Sequence, residues 1–212
     1  MLVLAALYVA SFLLGSIPFG FLVAKAKGID IRTAGSGNIG ATNVSRVLGS
    51  KAGSFVFALD VLKGVIPVLV ARSMFPEPTF GLGSQVIWFL AGAMALLGHV
   101  FSPWLGFKGG KGIATALGAL LAAAPPVGII GLVVFLAVTV PTRYVSLGSI
   151  LAAASLPISG WFLPGQDREL VPIYFVLAVL VILKHRPNID RLKSGTESKF
   201  SFGNRGAKDG PP

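Results

Sequence analysis

From Met1 to Leu183 the chain is a series of apolar stretches, many of them near the roughly 20 residues a helix needs to cross a hydrocarbon core, separated by short polar islands. Lipid offers no water to satisfy backbone N–H and C=O groups, so these stretches have to be helices and the fold class is all-α integral membrane protein. Seven stretches qualify: Met1 to Ala24, interrupted by Pro18; Ala52 to Met74; Gln85 to Phe107; a short Ile113 to Ala124 stopping at Pro125-Pro126; Val127 to Val140; Val145 to Leu163; and Leu170 to Leu183. The fourth and fifth are short enough to form a re-entrant pair. Met1 to Ala24 lacks a basic leader and exceeds a signal-peptide core, so it reads as a retained span. Residues 1–200 then form one transmembrane domain, and the tail SFGNRGAKDGPP, 201–212, has the composition of a disordered end.

Charge orients this layout. With the N-terminus outside and the C-terminus cytoplasmic, the inner loops collect Lys25, Lys27, Arg32, Arg46, Lys51, Lys108, Lys111, Arg143 and the basic residues after Leu183, while the outer side keeps only Arg72 and Arg168. Lys+Arg 18 against Asp+Glu 8 favours anionic lipid or anionic small molecules as partners, and the confinement of the cations to short loops argues against nucleic acid. The absence of cysteine removes disulfides, thiolate metal sites and a cysteinyl acyl-enzyme, and two histidines make a zinc site a poor reading; no metal and no cofactor are expected. Lys63 falls inside a span, and Asp60, three residues earlier on the same helix face, is its expected partner. Such a pair either docks one helix on another or supports the site from behind.

The concentrated polarity lies on the cytoplasmic side in three islands: GSGNIGATNVSR (35–46), GHVFSPWLGFKGGKGIAT (98–115) and KHRPNIDRLKSGTESKF (184–200). The first holds a G-x-G-x-x-G, but it sits between membrane spans with no βαβ units, so it is not a dinucleotide fold. What remains is local physics: glycines turn backbone N–H groups toward one point, Ser36, Asn38, Thr42 and Asn43 add neutral donors, and Arg46 adds a fork that fits phosphate. The second island repeats the device in Lys108, Gly109, Gly110, Lys111 and Gly112, just before a helix. It is not a Walker A loop, since Gly112 stands where Ser or Thr would follow Lys111. His99 reads as an interfacial hydrogen-bonding group; Arg143, Ser146 and Ser149 lie near enough to reach the same cavity. The third island holds His185, Asn188 and Glu197, and its H-x-x-x-x-D from His185 to Asp190 is a weak acyltransferase signal that leaves Asp190 a solvated residue.

Together GSGNIGATNVSRVLG, LDVLKG, GHVFSPWLGFKGGKGIAT and KHRPNIDRLKSGTESKF resemble the bacterial acyl-phosphate:glycerol-3-phosphate acyltransferases, the PlsY family, from about Leu14 to Phe200. The resemblance implies seven spans in the cell membrane, a site opening to the cytoplasm, and transfer of a fatty acyl group from acyl phosphate to the 1-hydroxyl of sn-glycerol 3-phosphate. It also implies a functional partner, the enzyme that makes acyl phosphate from acyl carrier protein. On that likeness Ser36, Asn38, Asn43 and Arg46 grip acyl phosphate. Lys108, Gly109, Gly110, Lys111 and Gly112 hold glycerol 3-phosphate, with Ser149 as an added donor. His185, Asn188 and Glu197, with Ser36, form the catalytic set, and the base is either His185 or the departing phosphate. A transporter of a phosphorylated metabolite is the alternative class, but it needs polar sets on both faces, and the islands crowd one.

Overall fold

The computed structural model describes residues 1–165 and 167–201. The described residues are helical, apart from loops and one isolated bridge between Thr79 and Leu82. The helices are α1 (Leu2–Ser16), α2 (Phe19–Lys25), α3 (Ala41–Leu48), α4 (Ser50–Met74), α5 (Ser84–Val100), α6 (Ile113–Ala123), α7 (Pro125–Thr142), α8 (Val145–Phe162), α9 (Val171–Lys184) and α10 (Arg186–Lys193). Short 3₁₀ turns at Pro103–Leu105 and Arg168–Leu170 lie between them. The expected tail lies outside the described residues beyond Ser201.

Among the described residues, five segments are long and apolar enough to cross a membrane: Leu2–Lys25, Ser50–Met74, Ser84–Leu105, Pro125–Thr142 and Val145–Phe162. A sixth is Arg168–Lys184 joined to Arg186–Lys193 across a 57° bend. The fourth expected span is α6, whose 11 residues rise only about 16 Å, half a bilayer core. The fifth is longer than expected, 18 residues, because Pro125 and Pro126 occupy the first turn of α7, where a missing N–H costs nothing. The first span does break at Pro18: Ile17 is extended (φ −60°, ψ 116°), the conformation a following proline imposes. Two carbonyls freed there find partners far along the chain, Ser16 O accepting from Ser102 Oγ at 2.7 Å and Ile17 O from Lys63 Nζ at 3.0 Å.

Two short helices, α3 and α10, lie within islands whose polarity hid them. In α3 the apolar positions Val44, Val47 and Leu48 recur at helical spacing and pack with Ala24, Ile31, Ile39 and Val56. The main core is Val68, Phe89, Leu96, Leu120, Tyr174 and their neighbours, in the bundle of α4 to α9. Short α6 fits against α4 because Gly64 and Gly118 let the backbones touch: a Cβ on Gly64 would fall on the Thr115 carbonyl, one on Gly118 on that of Val61. That contact plants the start of α6, and the loop before it, beside the α3 segment.

Candidate active site

The three islands converge on one cavity of about 140 Å³, many times the roughly 10–15 Å³ that holds a single water. Ser36, Asn38, Asn43 and Arg46 line it from the first island, Lys111 and Gly112 from the second. His185, Asn188 and Glu197 close it from the C-terminal side, and α8 adds Ser146 and Ser149. Lys108, Gly109 and Gly110 are not in its wall.

Asn43 is the keystone of the first loop. Its buried side chain accepts from the Ser36 N–H at 2.8 Å and donates to the carbonyls of Asn38 (2.8 Å) and Ala34 (3.0 Å). Asn38 Oδ1 takes the Gly40 N–H at 2.7 Å, and Gly35 and Gly37 adopt φ of +59° and +69°, where a side chain would be strained. The amide side chains therefore shape the loop, which leaves Ser36 exposed, and Arg46 on the following helix α3 is exposed beside it. Arg46 Nη2 donates to the Ser198 carbonyl at 3.2 Å.

The second loop is built by close approach. Gly109 and Gly110 donate their N–H groups to the carbonyls of Val100 and His99, at 3.2 and 3.1 Å. A Cβ on Gly109 would strike the His99 carbonyl, and one on Gly110 the His99 ring. These two glycines press the loop onto the end of α5, so that Lys111 is the group that enters the cavity. Lys108 is exposed. Lys111 Nζ donates to Asn188 Oδ1. Burial pushes its ammonium down to about 8, helped by Arg191 and Arg46 and opposed by Glu197.

Glu197 organises the third island. Its Oε1 accepts from Ser146 Oγ at 2.6 Å and Asn188 Nδ2 at 2.7 Å, and its Oε2 from Arg191 Nε at 2.7 Å. Burial alone would raise its pKa, but the hydrogen bonds from Ser146, Asn188 and Arg191 outweigh it and hold it below the usual carboxylate range. A relay results: Arg191 holds Glu197, Glu197 orients the Asn188 amide, and the amide oxygen faces Lys111. His185 Nδ1 lies 2.8 Å from the Val181 carbonyl; donation there makes Nε2 the proton acceptor of the neutral ring.

Asp60 and His99 also line the cavity. Lys63 Nζ lies 2.8 Å from Asp60 Oδ1, as the i,i+3 spacing predicts, and His99 Nδ1 is 3.7 Å from the same oxygen. The pair does both things its spacing allowed: it ties α4 to the break after α1 and backs the cavity wall. His99, read as interfacial, is instead buried under the second loop. Arg143 is exposed, its carbonyl accepting from Phe200 N at 2.7 Å; Asp190 is exposed, as expected. A second, almost wholly apolar cavity adjoins the first, sharing Phe57, Ile113, Phe135 and Ser149 with it.

Residues 5–195 match the family described as glycerol-3-phosphate acyltransferase. A glycerol-3-phosphate acyltransferase of Geobacter sulfurreducens is 49% identical over 194 residues, spanning 90% of this chain and 94% of that one. Two crystal structures of the integral membrane glycerol 3-phosphate acyltransferase PlsY, its glycerol 3-phosphate form and its lysophosphatidic acid form, superpose with TM-scores of 0.84 and 0.81. Both are 42% identical to this chain and cover 93% of it, matching 96% and 95% of their own lengths.

Proposed function

The chain belongs to the glycerol-3-phosphate acyltransferase family, and on that premise we propose that its donor is acyl phosphate and its product 1-acyl-sn-glycerol 3-phosphate. It is an all-helical integral membrane acyltransferase of phospholipid synthesis. The observation that carries the finer reading is that two cations from separate islands, Arg46 on α3 and Lys111 on the second loop, face one cavity whose wall continues into an apolar one. Two phosphates and one fatty chain suit that layout. The related structures in glycerol 3-phosphate and lysophosphatidic acid forms accord with an acceptor and a product of this kind.

Ser36, on the loop that Asn38 and Asn43 shape, and Arg46, on α3 just after it, bind the acyl phosphate. Lys111 and Gly112 bind glycerol 3-phosphate, with Gly109 and Gly110 setting the loop, Lys108 drawing anions toward it from the surface and Ser149 a donor in the wall. The glycerol 1-hydroxyl oxygen attacks the acyl carbonyl and the carbonyl–O–phosphate bond breaks. Phosphate leaves with the electron pair, and the hydroxyl proton passes to His185 Nε2 or to the leaving phosphate. Because the donor is a mixed anhydride, positioning and charge stabilisation suffice and no covalent enzyme intermediate forms. Asn188 and Glu197 keep Lys111 aimed. The site faces the cytoplasm of a multi-pass cell-membrane protein, with α6 counted as a seventh, shortened crossing, and the donor comes from an enzyme acting on acyl carrier protein.

Phosphate release by the detergent-purified protein, given palmitoyl phosphate or palmitoyl-CoA with sn-glycerol 3-phosphate, tests the donor. Release matched by lysophosphatidic acid with palmitoyl phosphate alone is the expected result. Transfer from the CoA ester at a comparable rate would refute it.

A further inference from the structure

Helix α6 stands between the polar cavity and the far end of the bundle. It begins at the cavity, where Gly112 and Ile113 are in the wall, and its 11 residues carry it about 16 Å away. It lies along one face of α4 and runs the same way: Gly64 meets the Thr115 carbonyl, Val68 and Ala119 meet over Gly92, and Arg72 reaches Ala122. The two prolines that suit the first turn of α7 leave a gap at the end of α6. A helical carbonyl is answered by the N–H four residues on, and for Leu121 and Ala122 those residues are Pro125 and Pro126, which have none. Side chains from two other helices supply donors at this end instead. Arg72 Nη1 of α4 donates to the Ala122 carbonyl at 3.2 Å, and Gln85 Nε2 of α5 to the Ala123 carbonyl at 3.0 Å. Both side chains are themselves held. The Arg72 guanidinium lies 4.9 Å from the centre of the Trp88 ring, Trp88 Nε1 donates to the Phe75 carbonyl at 2.8 Å, and Gln85 Oε1 accepts from the Asp167 N–H at 3.4 Å.

The near end of α6 carries the second loop. Lys111 immediately precedes Gly112, the N-cap of α6, which adopts φ +80° and sits so close to α5 that a Cβ there would fall on Leu96 Cδ1. A short hydrogen-bonded helix moves as a rod, so a slip at its far end is passed to Lys111 at about 1.5 Å per residue of register. A misplacement of about 1 Å at a reacting site can cost on the order of 100-fold in rate. We infer that Arg72 and Gln85 are positioning residues for the reaction: their grip on the far end of α6 sets the height at which Lys111 meets the acceptor's phosphate. Neither side chain is in the cavity wall, and both act through the helix. The inference rests on reading Lys111 as the anion site of glycerol 3-phosphate.

The test measures KM for glycerol 3-phosphate and for palmitoyl phosphate in Arg72→Met, Gln85→Glu, the double variant and Arg72→Lys, with thermal unfolding in detergent alongside. KM does not depend on how much of a preparation is folded. In the double variant the glycerol 3-phosphate KM should rise about fivefold or more while that for palmitoyl phosphate stays within about twofold of wild type. Arg72→Lys keeps a donor and should stay near wild type. Gln85→Glu keeps the volume and the acceptor for Asp167 but sets an oxygen against the Ala123 carbonyl; its own rise, about two- to threefold, decides the matter if Arg72→Met cannot be purified. Earlier unfolding with an unchanged glycerol 3-phosphate KM would make the contacts merely structural and overturn the proposal, as would an equal rise in both KM values. Lys111→Met, run in parallel, judges the underlying reading separately. If it moves the palmitoyl phosphate KM instead, the assignment of substrates to loops fails, and Arg72 and Gln85 are then held to that KM.

Discussion

Glu197→Gln replaces one oxygen of the cavity carboxylate by an amide nitrogen and leaves its volume unchanged. Three donors converge on the carboxylate: Ser146 Oγ and Asn188 Nδ2 on Oε1, Arg191 Nε on Oε2. Glutamine has one carbonyl oxygen, so either Arg191 or Asn188 must face an N–H₂ group. The Ser146 hydroxyl can rotate to suit; a guanidinium or an amide N–H₂ cannot. Turning the Asn188 amide over does not escape, because it would aim Nδ2 at the Lys111 ammonium, which Asn188 Oδ1 now accepts. The cost is one charge-assisted hydrogen bond plus a buried donor left unpaired, about 2–3 kcal/mol, or roughly 30–150-fold in an equilibrium constant. Because the strain lands on Lys111, most of it should appear as a higher KM for glycerol 3-phosphate, with kcat reduced less. Initial rates across glycerol 3-phosphate concentration at fixed donor measure this, with thermal unfolding in detergent as the control for folding. A variant whose KM stays within threefold of wild type would refute the relay. Protonation of the wild-type carboxyl should do the same damage: a depressed carboxyl stabilises the fold above its unfolded value of 4.5, and that contribution is lost only as pH falls through the lower folded value.

Other outcomes are equally definite. Lys111→Met should raise KM for glycerol 3-phosphate by about 100-fold or more, the loss of a partly buried cation from an anion site. With the wild-type ammonium titrating at about 8, that KM should rise above pH 8 in wild type and stay flat in the variant. The linked stability runs the other way: the folded pKa lies below the unfolded 10.5, so the folded form binds fewer protons between about 8 and 10.5 and gains stability as pH rises through that window. Asp60→Ala leaves the Lys63 ammonium buried without its carboxylate and should cost about 3–5 kcal/mol in unfolding, of which adding Lys63→Met should recover only part, because the Ile17 carbonyl then loses its lysine donor. Gly110→Ala drives a Cβ into the His99 ring and should abolish most activity while the helical circular dichroism is retained.

The membrane class and most spans were legible because apolar length is a direct physical requirement of the bilayer, and the Asp60–Lys63 pair because i,i+3 spacing admits little else. The span ends were less so. Pro125-Pro126 was read as a break between helices, yet proline at a first turn begins one, and the chain alone does not say which side of the pair the helix lies on. Helix α3 hid because three apolar positions in a run of Ser, Thr, Asn and Arg carry too little hydropathy to announce a buried face. At the site, residue type pointed to phosphate, but it did not separate side chains that line the cavity from those that build its wall. Asn43 reads as a ligand donor and spends its amide on its own loop; Gly109 and Gly110 read as anion donors and give their N–H groups to α5. Only the tertiary contacts tell which carbonyl lies within reach.

The break after α1 has a consequence for how the protein is made. Ile17 O and Ser16 O are satisfied by residues 46 and 86 positions later in the chain. At about 5–20 residues per second, the first span leaves the ribosome roughly 2–9 s before Lys63 exists to meet it. During that interval the Ser16 carbonyl still awaits Ser102 and the Ile17 carbonyl has only the local Phe19 N–H, at 3.1 Å, so a wet or protein-lined place, the insertion machinery or the bilayer surface, is the less costly one in which to wait. Settling of the first span into lipid is thereby coupled first to arrival of α4, which delivers its lysine already neutralised by Asp60, and then to arrival of Ser102 after α5, so that the order of synthesis becomes the order of assembly.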